Sequence, residues 1–247
     1  MRRAEPASDR RRVSAWGGLV TASAILVGGS ALALVAWWAL TSERVVATYA
    51  VQGSVNSVFL DLGGADADVV GGGNRPSVQI RRTDEYAFGR RAIARRDATG
   101  GVLRIRSRCP DTVLGACRAA YRLTIPDNVP VTVRTTSGNV RFTGYQGSAQ
   151  IDTGTGDIAV GGYCGFLLRA RADAGDVSAS ASCTTERMEL RSRTGDVRAV
   201  VPPGRYRVDA DTDTGQSEVR GLTPAEDAQF VIQALSSAGD VAVETSG

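Results

Sequence analysis

The chain has 247 residues, room for one or two domains, and a net charge of only +3. Its basic residues are distributed along the chain, which argues against a nucleic-acid partner. It has no His and no Lys, so His-based acid/base chemistry, His metal ligation, Lys nucleophiles and Schiff bases are all excluded. Gly at 29 and Pro at 8 suit a structure of many short strands and tight turns.

Taken in order, residues 1–15 form a basic tail with Arg2, Arg3, Arg10, Arg11 and Arg12. Trp16 to Leu40 is a run of 25 residues without a charge, long enough to cross a hydrocarbon core of about 30 Å as a helix. Only Arg44 follows it closely, so the positive-inside rule puts the N-terminus in the cytoplasm and the remainder outside. Trp37 and Trp38 fall at the expected outer interface. The run is longer than a signal-peptide core of roughly 7–15 residues, which favours an uncleaved single-pass anchor in the cell membrane. A tail this short cannot fold alone.

Residues 41–54 read as a linker and 55–130 as an N-terminal β cap with the first turns. Strand-like runs there are Val55–Leu62, Val78–Arg82, Val102–Ser107 and Tyr121–Ile125, separated by breaks such as Gly71-Gly72-Gly73-Asn74. Gly63-Gly64-Ala65-Asp66-Ala67-Asp68-Val69 lacks the period of calcium-binding nonapeptides and reads as a turn.

Residues 131–247 repeat. A small residue, Gly, Asp or Asn, then an aliphatic recurs at Gly138, Gly156, Gly175, Gly195 and Gly239, with a degenerate copy at Gly215. These glycines step by 18, 19, 20, 20 and 24 residues, the period of a solenoid whose turns bury their faces against their neighbours. Seven residues before each Gly lie Val131, Ala149, Leu168, Met188, Val208 and Ile232. Five before lie Val133, Ile151, Ala170, Leu190, Ala210 and Ala234, and three before lie small residues. This is one strand with alternate residues inward, a Gly corner, and a second strand.

Outward columns carry alternating charges, such as Asp152 with Arg171 and Arg169 with Glu189, which would fix parallel register. Asp209, Asp211 and Asp213 are expected to face Glu189, Arg191 and Arg193 on the preceding turn. Their segment departs from an EF-hand loop, with Gly215 seventh and Arg220 twelfth, so it reads as an ion-pair ladder. No metal and no cofactor is expected. A cation bridging Asp157, Asp176 and Asp196 is a secondary expectation.

Cys164 and Cys183 each lie eight residues after a corner Gly, so parallel stacking at about 4.8 Å brings them within disulfide reach. Cys109 and Cys117 flank a short Pro/Gly-containing loop. The expected disulfides are Cys109–Cys117 and Cys164–Cys183, in keeping with an oxidising exterior.

The Leu60-Asp61-Leu62-Gly63-Gly64-Ala65-Asp66 opening, the Gly-Asp-Val repeats and the Cys-bounded loop resemble the bacterial "putative adhesin" β-strand-repeat family over about residues 55–247. That resemblance implies a domain of unknown function with a β-solenoid fold and an envelope location. It carries over no catalytic residues.

The sequence therefore predicts an all-β parallel solenoid with turns of about 20 residues, an irregular or antiparallel N-terminal cap and one preceding transmembrane helix. The expected function is a membrane-anchored, extracytoplasmic, adhesin-like interaction or scaffolding module without catalysis. Its partner would be cell-wall glycan or an envelope protein, and its C-terminal solenoid edge is a candidate for self-association. The alternatives are a carbohydrate-active β-helix enzyme, for which no carboxylate pair is recognisable, and an accessory envelope-stress sensor.

Overall fold

A computed structural model describes residues 27–30, 33, 36–37, 41–87, 89–110 and 117–246. The chain divides into two units, Met1–Ser42 with Ala87–Gly89, and Glu43–Tyr86 with Arg90–Gly247. In the first unit residues 27–30, 33, 36–37 and 41 are helical, and Thr41 Oγ1 donates to the Trp37 carbonyl at 2.8 Å, one helical turn away. Among the described residues no helix is long and apolar enough to cross a membrane, and most of the expected anchor at 16–40 lies outside those residues.

In most of the second unit, apolar residues recur at every second position, which commits those runs to strands with one buried face. Twenty strands result among the described residues. The first seven are β1 (Glu43–Val51), β2 (Ser57–Asp61), β3 (Asp66–Gly71), β4 (Val78–Tyr86), β5 (Ile93–Thr99), β6 (Val102–Arg108) and β7 (Cys117–Ile125). The middle ones are β8 (Val131–Thr135), β9 (Val140–Thr143), β10 (Ala149–Thr155), β11 (Ile158–Tyr163), β12 (Leu167–Ala174), β13 (Val177–Ala181), β14 (Arg187–Thr194) and β15 (Val197–Val201). The last are β16 (Arg205–Thr214), β17 (Ser217–Arg220), β18 (Thr223–Pro224), β19 (Val231–Ala238) and β20 (Val241–Thr245).

They form two ten-stranded sheets, ordered β1-β4-β7-β3-β9-β11-β13-β15-β20-β17 and β18-β16-β19-β14-β12-β10-β8-β2-β6-β5. The inward positions of both sheets meet in one core. Leu60, Ile80, Leu103, Leu123, Ile151, Leu190 and Ala234 are all fully buried in it. From β2 and β3 onward the repeat stacks in parallel register, with Ile151 opposite Val133 and Ala170, and Ile158 opposite Val140 and Val177. The antiparallel pairs, β1 with β4, β4 with β7 and β5 with β6, are all at the N-terminal end. The sheets are thus mixed, a parallel stack under an antiparallel cap.

Four details differ from the sequence reading. Residues 41–54, expected as a linker, contain β1, which pairs along its whole length with β4. The segment 63–69, read as a turn, is the corner of a first repeat: Val58 and Leu60 pair with Val131 and Val133, and Ala67 and Val69 pair with Val140 and Phe142. Ala65 stands there where later corners have Gly, which hides this turn from a search keyed on glycine. The strand β5 was also not anticipated.

The fourth difference is the order of the last two turns. β19 and β20 pair with β14 and β15, and the turn before them in sequence, β16 and β17, is displaced to the outer edge. Asp209 and Asp211 therefore lie opposite Gln233 and Leu235 rather than Glu189 and Arg191. Apolar content explains the exchange. Ile232, Ala234, Val241 and Val243 are buried, whereas every residue of β17 is exposed and Val208 and Ala210 are only half-buried. The more apolar turn gains more by taking the covered position. The C-terminal edge of the stack is consequently β17 and β18, not the chain end.

Candidate functional site

Each turn places a Gly corner on one side of the stack and a loop on the other. At the corners, the backbone N–H of Asn139 donates to Asp66 Oδ1, that of Asp157 to Asn139 Oδ1, and that of Asp176 to Asp157 Oδ1, at 2.8–2.9 Å. The series continues through Asp196 on Asp176, Asp240 on Asp196 and Gln216 on Asp240. One side-chain oxygen of each corner Asp is thereby committed to the next turn's backbone. Hydroxyls three residues before the corners form a second ladder: Ser192, Ser236 and Thr212 donate to the carbonyls of Gly175, Gly195 and Gly239, each at 2.8 Å. The expected corner glycines Gly138, Gly156, Gly175, Gly195, Gly239 and Gly215 thus form one column, in that spatial order. Among the described residues no group of three acidic or Cys side chains is placed to hold a metal ion.

On the opposite side the loops stack into a groove of about 610 Å³. Buried tyrosines brace the loops behind it. Tyr163 Oη donates to the carbonyls of Gly147 and Leu167 at 2.7 and 2.6 Å, and Tyr145 Oη donates to the Val129 carbonyl. Burial pushes both phenols well above their ordinary range, so they remain donors at any physiological pH. The Cys164–Cys183 disulfide ties two adjacent loops, with Cα atoms 5.1 Å apart, and lines the groove. Cys109 is bonded to Cys117 in the cap, so both bonds join the cysteines paired on sequence grounds.

The groove's own lining is aromatic and amide-rich, with one carboxylate among the described residues. Phe166 is 70% exposed, immediately after Cys164-Gly165, and Phe230 lies further along, its ring 6.2 Å from that of Tyr206. Asn128, Gln146 and Gln229 offer amides, Thr184 a hydroxyl and Glu186 a carboxylate. Asn128 has φ of 63°, a left-handed conformation that Asn tolerates better than other non-Gly residues. A large aromatic face beside amides suits a polar ligand with an apolar side, such as a sugar ring or a peptide. Glu186 is the lone carboxylate among the described lining residues, so the groove lacks the two carboxyl groups that glycoside hydrolysis uses. None of these groove residues besides the two cysteines stands out in the sequence. The available signal is the column of Phe166, Phe230 and Tyr206, aromatics that occupy the same place at or just before the start of the first strand in three different turns.

Comparison with known proteins gives the same architecture. A family profile described as Toastrack DUF4097 matches residues 128–244. A "putative cell adhesion protein" from Clostridium sporogenes has the same fold at 9% sequence identity, with a TM-score of 0.50 over 83% of this chain and 100% of its own. A "putative adhesin" from Bacteroides fragilis aligns at 11% identity and a TM-score of 0.40, over 83% of this chain and 97% of its own. No curated protein matches the chain. The profile match spans the stacked corners and the residues that line the groove, so this part of the chain is similar to the Toastrack DUF4097 family, and the fold is shared with the Clostridium sporogenes protein.

Proposed function

We propose that this chain is a membrane-anchored interaction module of the bacterial cell envelope, presented outside the cytoplasm and acting without catalysis. The loop-side groove is its ligand-binding surface. The observation that carries this reading is the exposure of Phe166 beside the amides of Asn128, Gln146 and Gln229, on loops locked by tyrosine hydroxyls and a disulfide. A wide aromatic surface kept in place at a cost in exposed apolar area is a binding feature rather than a folding one. Two disulfides favour an oxidising exterior, and the uncharged run at 16–40 after five Arg residues favours a single-pass anchor with a cytoplasmic N-terminus. The ligand class that fits is cell-wall glycan, with an envelope protein as the second candidate.

Co-sedimentation of residues 43–247 with fractionated native envelope tests this. Saturable binding to one fraction, lost in Phe166→Ala, is the expected result. Release of soluble sugar fragments would overturn the non-catalytic reading, and retained binding in Phe166→Ala would remove the groove as the site.

A further inference from the structure

Folding sorts the charges that the sequence presents as scattered. Residues 75–141 carry fourteen Arg against five Asp and Glu, and residues 142–247 carry nine Arg against fifteen. The basic segment builds one end of the stack, where β1 and β4 close one sheet and β5 and β6 close the other. The acidic Asp209, Asp211 and Asp213 lie on β16 near the opposite end, eight strand spacings from β5 or about 38 Å away.

Four arginines of the basic end make no ion pair among the described residues, although Asp97 is opposite Arg104 and Asp61 is opposite Arg106. Arg95 lies directly opposite Arg106 between β5 and β6, and Arg104 and Arg108 project from the same outer face of β6. None of these four has an acidic partner within ion-pair distance among the described residues. Like charges held opposite each other in a β ladder are destabilising unless an external anion compensates them. Ile93 on β5 is exposed (63%) opposite Arg108 on that face, and in the other sheet Val46 on β1 is exposed (46%) two residues from Arg44. Arg beside an exposed aliphatic group on an otherwise open sheet edge suits a surface that is anionic outside and apolar just beneath.

We infer that this end of the stack seats on the phosphate headgroups of an anionic lipid surface, so that the acidic end points away from it and the groove, on the side of the stack, stays accessible. The inference rests on the membrane-anchor reading above, and chain length supports it. Leu40 and Arg44 are four residues apart, so Arg44 on β1 is within about 14 Å of the end of the apolar run. The start of β1 is therefore tethered close to the end of the apolar run, and β1 is the terminal strand of the basic end.

The test uses the full chain in lipid nanodiscs, one set of phosphatidylcholine alone and one of equal parts phosphatidylcholine and phosphatidylglycerol. Arginine modification by phenylglyoxal is then read residue by residue. Labelling of Arg95, Arg104 and Arg106 is expected to slow about threefold or more in the anionic discs and to recover at high salt. Arg205 and Arg207, at the far end, should label equally in both. Equal labelling of the three arginines in the two lipids overturns the inference. Equivalent protection in phosphatidylcholine discs on adding soluble glycerol phosphate also overturns it, in favour of a free-phosphate site. A chain that inserts into neither disc overturns the anchor reading itself, a failure distinct from the other two.

Discussion

The backbone N–H of Asp176 donates to Oδ1 of Asp157 at 2.9 Å, and Asp176 Oδ1 in turn accepts from the N–H of Asp196 at 2.8 Å. Each corner Asp is thus acceptor for one neighbouring turn and donor to the other. This explains why like charges recur in a column where Coulomb repulsion alone would disfavour them. The carboxylates satisfy backbone donors that corner geometry leaves out of the sheet ladder.

The acceptor is what matters, not the charge. Asn139 occupies the same place and its Oδ1 accepts from Asp157 at 2.9 Å. Asp176→Asn should therefore stay within about 0.5 kcal/mol of the parent in chemical denaturation. Asp176→Ala, which strips the acceptor from an N–H that water can still reach, should cost about 1 kcal/mol. Equal losses in the two variants would mean that the ladder contributes through charge.

Gly195 illustrates the other requirement of the corner. Its φ is 145°, and a Cβ there would lie inside van der Waals contact of the Gly175 carbonyl, the same oxygen that accepts from Ser192. Gly195→Ala should cost about 3 kcal/mol or more, combining backbone strain with separation of two turns. Gly161→Ala is the control. Its nearest neighbour would be the Phe142 carbonyl at 3.9 Å, with no unusual φ, so it should be close to neutral. Thermal melts of the two variants decide the point.

The same oxygen contact explains what the sequence displays and what it hides. A corner that stacks on an earlier one needs Gly, so the repeat announces itself from Gly138 onward. Ala65 starts the column, so it meets no such carbonyl and the first turn carries no glycine signal. Spatial order was hidden for a different reason. Parallel stacking requires matching registers but not consecutive turns, so the chain could pass β16 and β17 outward and bring β19 and β20 back against β14 and β15. The decisive quantity is relative apolar content, which pattern matching does not rank. The Cys164–Cys183 register was legible because two positions eight residues after corners must coincide. The groove was not, because Asn128, Gln146 and Gln229 come from loops that become neighbours only through stacking.

The cap holds a charge pair that sequence inspection passes over. Arg82 and Asp84 sit two residues apart on β4, with side chains only 15% and 6% exposed, joined at 2.7 Å. The guanidinium also donates to the Ala92 carbonyl at 2.7 Å and lies 5.7 Å from the Tyr121 ring centroid. Inward charges of this kind belong to a sheet end that must not open. Asp84→Ala leaves the buried Arg82 uncompensated and should destabilise the domain by about 3 kcal/mol, more than removal of any surface pair. Urea denaturation of Asp84→Ala beside the double variant Arg82→Met, Asp84→Leu tests this, because the apolar pair should recover most of the loss.

Arg169 and Glu189 make the corresponding link on the outer face of β12 and β14, at 2.7 Å. The Arg169 hydrogen bond holds the Glu189 carboxyl below its ordinary value of 4.5, and Arg169 is raised in turn by Glu189. The lowered carboxyl fixes the sign of the pH dependence. The pair contributes fully above the unfolded-state value and is lost as pH falls through the lower folded-state value. Glu189→Gln should therefore cost stability at neutral pH and nothing in strong acid, where the parent's carboxyl is protonated as well. The guanidinium is 38% exposed, so solvent screening limits the neutral-pH cost to about 0.5 kcal/mol. Denaturation midpoints of parent and variant should converge as pH is lowered through the carboxylate range. A gap that stays constant across that range would assign the effect to packing of the Glu189 stem.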